Sequence, residues 1–212
     1  TLYAHWEANQ YIVTYNTGEG TLDSENNTKV VTYNENYGEL PTASRTGYTF
    51  IGWYNSDDEK IESETKVTIT EGQTLYAKYE ANQYTVTLDP GSGTVTPKTI
   101  QVTYDEVYGT LPQATKSGYT FMGWYDKDGN QVLASTKVEI TKNSTLTAKF
   151  SNTAYILTFD AGDGECNDTE KLIEFDKPYG TLPQAQREGY IFDGWYTDTE
   201  WTTKIDEETI VD

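Results

Sequence analysis

The chain has 212 residues, with 34 acidic and 15 basic side chains that give a formal net charge of −19 at pH 7. This charge repels nucleic-acid phosphates and anionic lipid headgroups, and no apolar run approaches the ~20 residues of a membrane-spanning helix. A single cysteine and a single histidine exclude an intrachain disulfide and a Cys/His zinc site.

The first predicted element is a strand at Thr1–Trp6, with the sequence Thr-Leu-Tyr-Ala-His-Trp. Closely related sequences occur at Thr74–Tyr79 and Thr145–Phe150, which indicates an internal repeat. After each copy, four residues lead to the next predicted strand, and such a connection spans at most ~14 Å. Neighbouring repeats are therefore expected to lie close together with restricted orientations.

This strand allows two assignments of the repeat boundaries. In the first, residues 1–7 are the final strand of a preceding repeat, and three repeats follow at 8–80, 81–151 and 152–212, the third without its final strand. In the second, the repeats occupy 1–73, 74–144 and 145–212. Because the chain begins within a predicted strand, we interpret it as part of a longer protein. The first assignment predicts that residues 1–6 of one molecule complete the third repeat of another, a head-to-tail strand exchange between chains.

The next two elements form a predicted hairpin. Its first strand alternates apolar and polar residues, as in Tyr11, Val13 and Tyr15, which indicates a half-buried strand. A glycine-rich turn follows, and a second alternating strand directs Val31 and Tyr33 inward. The inward positions of the other two repeats are Tyr84, Val86, Leu88, Val102 and Tyr104, and Tyr155, Leu157, Phe159, Ile173 and Phe175.

The stretch after the hairpin shows no strand alternation. Residues Asn34–Leu40 and Asp105–Leu111 each stop at a proline, and each is predicted to hold one short helical turn. Every repeat is therefore expected to contain four main strands and at most one helix. The predicted fold class is α+β, mostly β.

The motif Gly-Tyr-x-Phe-x-Gly-Trp-Tyr predicts a further strand, and its copies begin 71 residues apart at Gly47, Gly118 and Gly189. Strand parity alone leaves Trp53 facing solvent, where an indole can stack on a sugar or a protein. A glycine inside a strand often marks a bulge, and a bulge at Gly52 would return Trp53 to the core. We favour the core position. The exposed alternative makes three residues ligand-binding candidates: Trp53, Trp124 and Trp195.

Aromatic side chains are expected to build most of the core. Hydrophobic residues make up 35% of the chain, and Tyr, Trp and Phe together make up 14%. A domain of ~70 residues buries only ~60% of its unfolded surface, which makes it marginal by size. Aromatic side chains that bury ~150–250 Å² each can stabilise such a domain without disulfides.

The repeats also test for catalysis, since a catalytic group that serves each repeat should recur at equivalent positions. The recurring residues are Tyr, Gly, Leu, Pro, Phe, Trp and Thr, and no acid, base or cysteine recurs. The calcium-like string at 126–130 has Gln131 and Lys137 where an EF-hand needs Gly and Glu, so it is interpreted as a hairpin turn. We predict no enzyme activity and no catalytic, cofactor-binding or metal-binding residue.

Together, the motifs Tyr-x-Val-Thr, Tyr-Gly-Thr-Leu-Pro, Gly-Tyr-x-Phe-x-Gly-Trp-Tyr and Leu-Tyr-Ala-Lys resemble the Listeria-Bacteroides repeat, also called the internalin B-repeat. The resemblance covers essentially the whole chain. It implies tandem β-grasp modules similar to ubiquitin and SUMO, in secreted or cell-surface bacterial proteins that are often wall-anchored. Repeat 3 departs from the pattern, with Asp193 where the other repeats have Ile51 and Met122.

The expected function is that of a semi-rigid, elongated spacer or stalk that presents a distal adhesive domain at the bacterial cell surface. Anchoring to the cell wall is expected to lie in regions outside this segment. The alternative is a weak multivalent adhesin that binds a host surface protein or a glycan through several repeats at once. Uniform repetition without a repeated chemical site favours the spacer.

Overall fold

The computed structural model describes residues 1–212, and strands account for all of its regular secondary structure. The strands of repeat 1 are β1 (Gln10–Asn16), β2 (Thr21–Leu22), β3 (Thr28–Thr32), β4 (Ala43–Ser44), β5 (Tyr48–Tyr54), β6 (Lys60–Ile61) and β7 (Gln73–Ala81). Those of repeat 2 are β8 (Gln83–Asp89), β9 (Thr99–Thr103), β10 (Tyr119–Tyr125), β11 (Gln131–Val132) and β12 (Ser144–Asn152). Those of repeat 3 are β13 (Ala154–Thr158), β14 (Glu165–Cys166), β15 (Glu170–Glu174), β16 (Ala185–Gln186), β17 (Trp195–Tyr196) and β18 (Lys204–Ile205).

The chain divides into two compact units. The first comprises Thr1–Val86, Ile100–Gly109 and Ala134–Ser144. The second comprises Thr87–Thr99, Thr110–Leu133 and Thr145–Asp212. The strands β1 to β7 belong to the first unit, and β13 to β18 belong to the second.

The first sheet has the strand order β3-β1-β7-β5-β6. Its central strands β1 and β7 run parallel, whereas the other neighbouring pairs are antiparallel. The alternation predicted for β1 is present, because Val13 and Tyr15 are buried and Ile12 is exposed. One face of the sheet therefore carries a core, to which Trp53 and Leu75 also contribute.

The second sheet repeats this order as β11-β10-β12-β8-β9, with β8 in the place of β1 and β12 in the place of β7. Its inward residues match those of the first sheet. Val86 and Leu88 on β8 are buried, as are Trp124 on β10 and Leu146 on β12. The same alternation in sequence thus gives the same buried face.

Repeat 3 forms only two-stranded sheets, with the pairs β13-β15, β14-β16 and β17-β18. In repeat 1, β7 lies between β1 and β5, whose counterparts here are β13 and β17. No strand joins β13 to β17. As a result, β17 has two residues, whereas β5 and β10 have seven each.

The prediction of helical turns at Asn34–Leu40 and Asp105–Leu111 is wrong, because the structure contains no helix. The α part of the predicted α+β class is therefore wrong as well. The mostly-β part is confirmed, since all the regular structure is strand. No helix is present that is long and apolar enough to span a bilayer.

Backbone pairing explains the missing turns. The amide of Asn34 donates to the carbonyl of Val67 at 2.8 Å, and the amide of Tyr37 donates to the carbonyl of Thr65 at 2.9 Å. Equivalent bonds join residues 105–109 to 134–138 and residues 176–180 to 207–211. Because these amides already have distant partners, they are not left to close a local helical turn.

Candidate functional site

A bulge interrupts β5 next to the motif tryptophan. The pairing of β5 with β7 shifts register between Phe50 and Gly52, and Gly52 adopts a φ of 138°. A residue with a Cβ rarely adopts this conformation, which glycine reaches easily. Beyond the bulge, Trp53 turns towards the core and packs on Tyr15 and Phe50, with ring centroids 4.8 and 5.5 Å away.

Each of the three motif tryptophans makes an equivalent hydrogen bond, in which the indole N–H donates to a proline carbonyl at 2.7 Å. The pairs are Trp53 with Pro41, Trp124 with Pro112 and Trp195 with Pro183. Only 2% of Trp53 and 1% of Trp124 is exposed, so neither indole offers a face for stacking on a ligand. Trp195 is half-buried and lines an open groove described below.

Carboxylates in the hairpin turns bind backbone amides. Asp126 accepts hydrogen bonds from the amides of Asn130 at 2.8 Å and Asp128 at 2.9 Å, and these bonds, led by that of Asn130, hold the pKa of Asp126 below its usual range. In repeat 3, Asp198 accepts from the amides of Thr202 and Thr203, and these bonds lower the pKa of Asp198 to about 2. This geometry is that of a side-chain-stabilised turn.

The recurring Gly-Tyr pair lies where one repeat meets the next. In the first unit, the ring of Tyr48 meets the edge of Tyr104, with centroids 5.6 Å apart. The hydroxyl of Tyr48 donates to Asp105 at 2.9 Å, and Lys137 pairs with the same carboxylate at 2.5 Å. A Cβ on Gly47 would lie 2.3 Å from the Tyr104 ring, so only glycine permits this approach.

The same contact recurs between repeats 2 and 3, within the second unit. The rings of Tyr119 and Phe175 lie 5.4 Å apart, and the hydroxyl of Tyr119 donates to Asp176 at 2.7 Å. A Cβ on Gly118 would lie 2.2 Å from the Phe175 ring. Two junctions with different sequences therefore use one geometry.

Charged groups reinforce both junctions. The guanidinium carbon of Arg45 lies 3.9 Å from the centroid of the Tyr48 ring, and the ammonium of Lys116 lies 3.5 Å from that of Tyr119. The hydrogen bonds of Asp105 with Lys137 and Tyr48 lower the pKa of Asp105, and the hydrogen bond to Asp105 raises the pKa of Tyr48. The hydroxyl of Tyr48 thus faces an ionised acceptor, which strengthens the bond.

The short connections between repeats take part in the junctions. The amide of Asn82 donates to the carbonyl of Gly47, and the amide of Tyr104 donates to the carbonyl of Asn82, both at 2.9 Å. In the second unit, Thr153 makes the equivalent pair of bonds with Gly118 and Phe175, at 3.0 and 2.9 Å. One connecting residue therefore bridges the two repeats on either side of it.

These junctions correct the prediction that Tyr33 points inward. Tyr33 is 43% exposed, whereas its counterparts Tyr104 and Phe175 are half-buried against the tyrosine of the preceding repeat. The position is covered by a neighbouring repeat and not by its own core. Strand alternation does not reveal this role, although the recurring Gly-Tyr pair is a signal of it.

Two surfaces that are covered in other repeats are exposed to solvent. In the second unit, a groove of about 730 Å³ is lined by side chains that include Leu157, Phe159, Phe192 and Trp195. Tyr155, which was predicted to point inward, is 44% exposed on β13, where no strand takes the place of β7. In the first unit, a shallow pocket is lined by residues that include Trp6, Tyr11, Tyr33 and Asn34.

Comparison with known proteins shows what the chain is similar to. A sequence profile of the Listeria-Bacteroides repeat domain family matches the chain three times, at residues 11–78, 84–149 and 155–212. A protein of Evansella cellulosilytica, provisionally named a membrane protein, is 30% identical over 208 residues, which cover 94% of this chain and 30% of the relative. Internalin H of Listeria monocytogenes is 42% identical over 89 residues, which cover 41% of this chain and 16% of that protein. The chain spans less than a third of the length of these relatives.

Proposed function

Because the chain belongs to the Listeria-Bacteroides repeat domain family, we propose that it is a non-catalytic spacer of a bacterial cell-surface protein and holds a distal adhesive domain away from the envelope. The relatives support a surface location, since they are named as membrane proteins and an internalin. Attachment to the cell wall through other regions of the protein is part of the proposal. A β-grasp relationship of the repeats is also part of the proposal.

The observation that carries the proposal is the use of the recurring Gly-Tyr pair. This pair occupies a junction at Tyr48 and again at Tyr119, where it makes a ring contact and a hydrogen bond to a carboxylate. A feature that recurs to connect neighbouring repeats suits a spacer, because a spacer must fix the relative positions of its repeats and does not need to bind a ligand. The four-residue connections limit the remaining freedom.

Small-angle scattering on the 212-residue chain tests the spacer. We expect an elongated particle of narrow size distribution. The double variant Tyr48→Ala/Tyr119→Ala should give a broader distribution, because the ring contacts and hydroxyl bonds of both junctions are lost. Tyr190→Ala is the matched control, since Tyr190 holds the same motif position but is 67% exposed.

The scattering result can contradict the proposal in two ways. A wild-type particle in which the repeats fold onto one another as a compact globule is incompatible with a spacer. A double variant that scatters like the wild type and the control would show that the junctions do not restrict the repeats.

A second candidate function, a weak multivalent adhesin for a host surface protein or a glycan, has one observation in its favour. Repeats 1 and 3 each expose an apolar cross-strand pair on the outer sheet face, Ile12 with Val30 and Ile156 with Leu172. Repeat 2 has the polar pair Thr85 and Gln101 at this place. Binding to a host-protein or glycan panel that disappears when Ile12 and Val30 are replaced by Thr and Gln would favour the adhesin.

A further inference from the structure

Each repeat has one sheet edge without a partner strand. In the two five-stranded sheets this edge is β3 or β9, and the corresponding strand of repeat 3 is β15. The order β3-β1-β7 shows that the edge strand pairs with the first strand of its repeat on one side only. The free side of β15 therefore lies opposite β13, and it is free whether or not β13 has a second neighbour.

The register of β13 with β15 identifies the backbone groups at this edge. The amide of Phe159 donates to the carbonyl of Thr169 at 2.9 Å, and such bonds recur at every second residue of an antiparallel pair. Glu170, Leu172 and Glu174 lie at the intervening positions, so their N–H and C=O groups point to the free edge. An added strand can bond to these groups.

The same three residues carry exposed side chains on the outer face of the sheet. Leu172 is 68% exposed and lies opposite Ile156, which is 67% exposed, so the two form an apolar pair beside the edge. Glu170 and Glu174 flank Leu172 on this face and are exposed. Neither carboxylate forms an ion pair within the chain. The edge thus presents an apolar centre between two free negative charges.

We propose that the free edge of β15 binds an extended segment of another protein as an added strand, and that this segment carries basic, apolar and basic side chains in alternation on one face. The apolar side chain packs on Leu172 and Ile156, and the two Lys or Arg side chains lie opposite Glu170 and Glu174. Opposite charges that face each other across two strands stabilise a sheet, whereas like charges destabilise it. The inference rests on the adhesin candidate, to which it adds a site and a partner chemistry, and the spacer does not depend on it.

The charge of this edge also disfavours a second copy of the chain as the partner. Lys171 lies on the opposite face of β15, where its ammonium donates to the carbonyl of Thr181 at 2.5 Å and so does not neutralise the edge. Two copies of β15 paired antiparallel would place Glu170 of one copy opposite Glu174 of the other. The net charge of −19 adds repulsion between whole chains. The partner is therefore a different protein with a basic segment.

The other two edges lack one or both of these features. At the three positions that point to the edge, β9 has Thr, Gln and Thr, which are neither apolar nor charged. At the same positions β3 has Thr, Val and Thr, which supply an apolar centre without charges. The chain therefore contains its own controls, repeat 2 for both features and repeat 1 for the charges.

A blocked peptide of sequence Thr-Lys-Thr-Val-Thr-Lys-Thr tests the inference, because its sequence is the same in both directions and fits either strand polarity. Titration into the isotope-labelled 212-residue chain, followed by NMR, should shift the amide signals of Glu170, Leu172 and Glu174. Hydrogen exchange of these amides should slow, because they become bonded to the peptide. The amide of Gln101 at the edge of repeat 2 should not respond.

The charges are tested with the peptide and with salt. A peptide with Glu in place of both Lys residues should bind at least about tenfold more weakly, because like charges then face each other. Raising the salt from about 50 to about 500 mM should weaken binding of the Lys peptide. Glu170→Gln/Glu174→Gln should weaken this binding at low salt and remove most of its salt dependence.

The apolar pair is tested by exchange between repeats. The double variant Ile156→Thr/Leu172→Gln copies the polar pair of repeat 2 and should weaken binding about tenfold. A gain of binding excludes a disturbed fold as the explanation, and a variant that builds the edge of repeat 3 into repeat 2 provides it. This variant carries Thr85→Ile, Thr99→Glu, Gln101→Leu and Thr103→Glu. It should bind a second peptide, with a response of the amide at position 101.

Three results would overturn the inference: unchanged amide signals of Glu170, Leu172 and Glu174 at about 1 mM peptide, equal binding of the Lys and Glu peptides, or shifts confined to residues of the groove such as Trp195. None of them bears on the spacer, which is tested by scattering. Binding to the host-protein panel that depends on Ile12 and Val30 would, in that case, retain the adhesin candidate without this site.

Discussion

The hydroxyl of Tyr15 is buried in the first core without a hydrogen-bond partner, and the residue is only 5% exposed. Repeats 2 and 3 have Leu88 and Phe159 at this position, so the polar group is not needed by the fold. We expect Tyr15→Phe to raise the free energy of unfolding by about 1 kcal/mol, because it removes an unpaired buried hydroxyl. Urea denaturation measures the change.

Tyr37→Phe is the control for that substitution. Its hydroxyl is also in the first core but donates to the side-chain oxygen of Gln73. The same deletion should therefore lower the free energy of unfolding by about 1 kcal/mol. Equal effects of the two substitutions would contradict the assignment of Tyr15 as unpaired.

Burial, and to a smaller extent the neighbouring Tyr37, raises the pKa of Tyr15 to about 12. A free tyrosine releases its proton near pH 10, so above that pH the unfolded chain ionises while folded Tyr15 stays neutral. This titration therefore leaves the free energy of unfolding unchanged below about pH 10 and lowers it as the pH rises towards 12. We expect Tyr15→Phe to lose less stability than the wild type between pH 9 and pH 11.5, measured by urea denaturation at each pH. A parallel decline of the two proteins would contradict it.

At the scale of the elements, the motif strand has two tasks. Its Phe and Trp build the core of its own repeat, whereas its first Gly and first Tyr contact the following repeat. This division explains why the motif recurs as a unit of eight residues. A substitution of its first Gly or first Tyr should therefore disturb a junction, and a substitution of its Phe or Trp should disturb a core.

The glycine that opens the motif allows a matched comparison. Gly47 and Gly189 have nearly the same φ, 79° and 78°, so alanine is strained to a similar extent at both. Only Gly47 faces a ring, that of Tyr104. We expect Gly47→Ala to cost about 1–3 kcal/mol more than Gly189→Ala, because the ring of Tyr104 must move.

Thermal and urea unfolding measure this difference, and the nuclear Overhauser contact between the Tyr48 and Tyr104 rings reports on the junction itself. The contact should weaken in Gly47→Ala and persist in Gly189→Ala. Equal losses of stability with an unchanged ring contact would show that backbone strain, not the junction, sets the cost.

At the scale of the whole molecule, charge is the dominant feature. The chain has 34 acidic against 15 basic residues, and its ion pairs, such as Arg187 with Asp163, lie at the surface. Exposed ion pairs contribute little each, so self-repulsion outweighs them at low ionic strength. We expect the thermal midpoint to rise by a few degrees between about 10 and 150 mM salt, as the Debye length falls from about 30 to 8 Å.

Differential scanning calorimetry in sodium chloride checks the salt dependence, with an equal osmolality of sucrose as the control for excluded-solute effects. A midpoint that falls on addition of salt would mean that the surface ion pairs outweigh the repulsion. The same measurement at low protein concentration separates this effect from association between copies.

The repetition, the mostly-β architecture and the buried alternation of strands such as β1 and β8 can all be predicted from the amino-acid sequence. These features are local, because a period of two and a turn-forming glycine act over a few residues. The bulge at Gly52 was also within reach of the sequence, since a glycine inside a strand commonly marks a bulge or a close approach of another group.

Features that depend on distant partners could be known only from the three-dimensional structure. The stretch at Asn34–Leu40 is not helical because its amides bond to residues about 30 positions later. Tyr33 is exposed while Tyr104 and Phe175 are covered, because the cover comes from another repeat and not from the strand's own pattern. Alternation tells which side of a strand faces inward, but it does not tell which neighbour lies there.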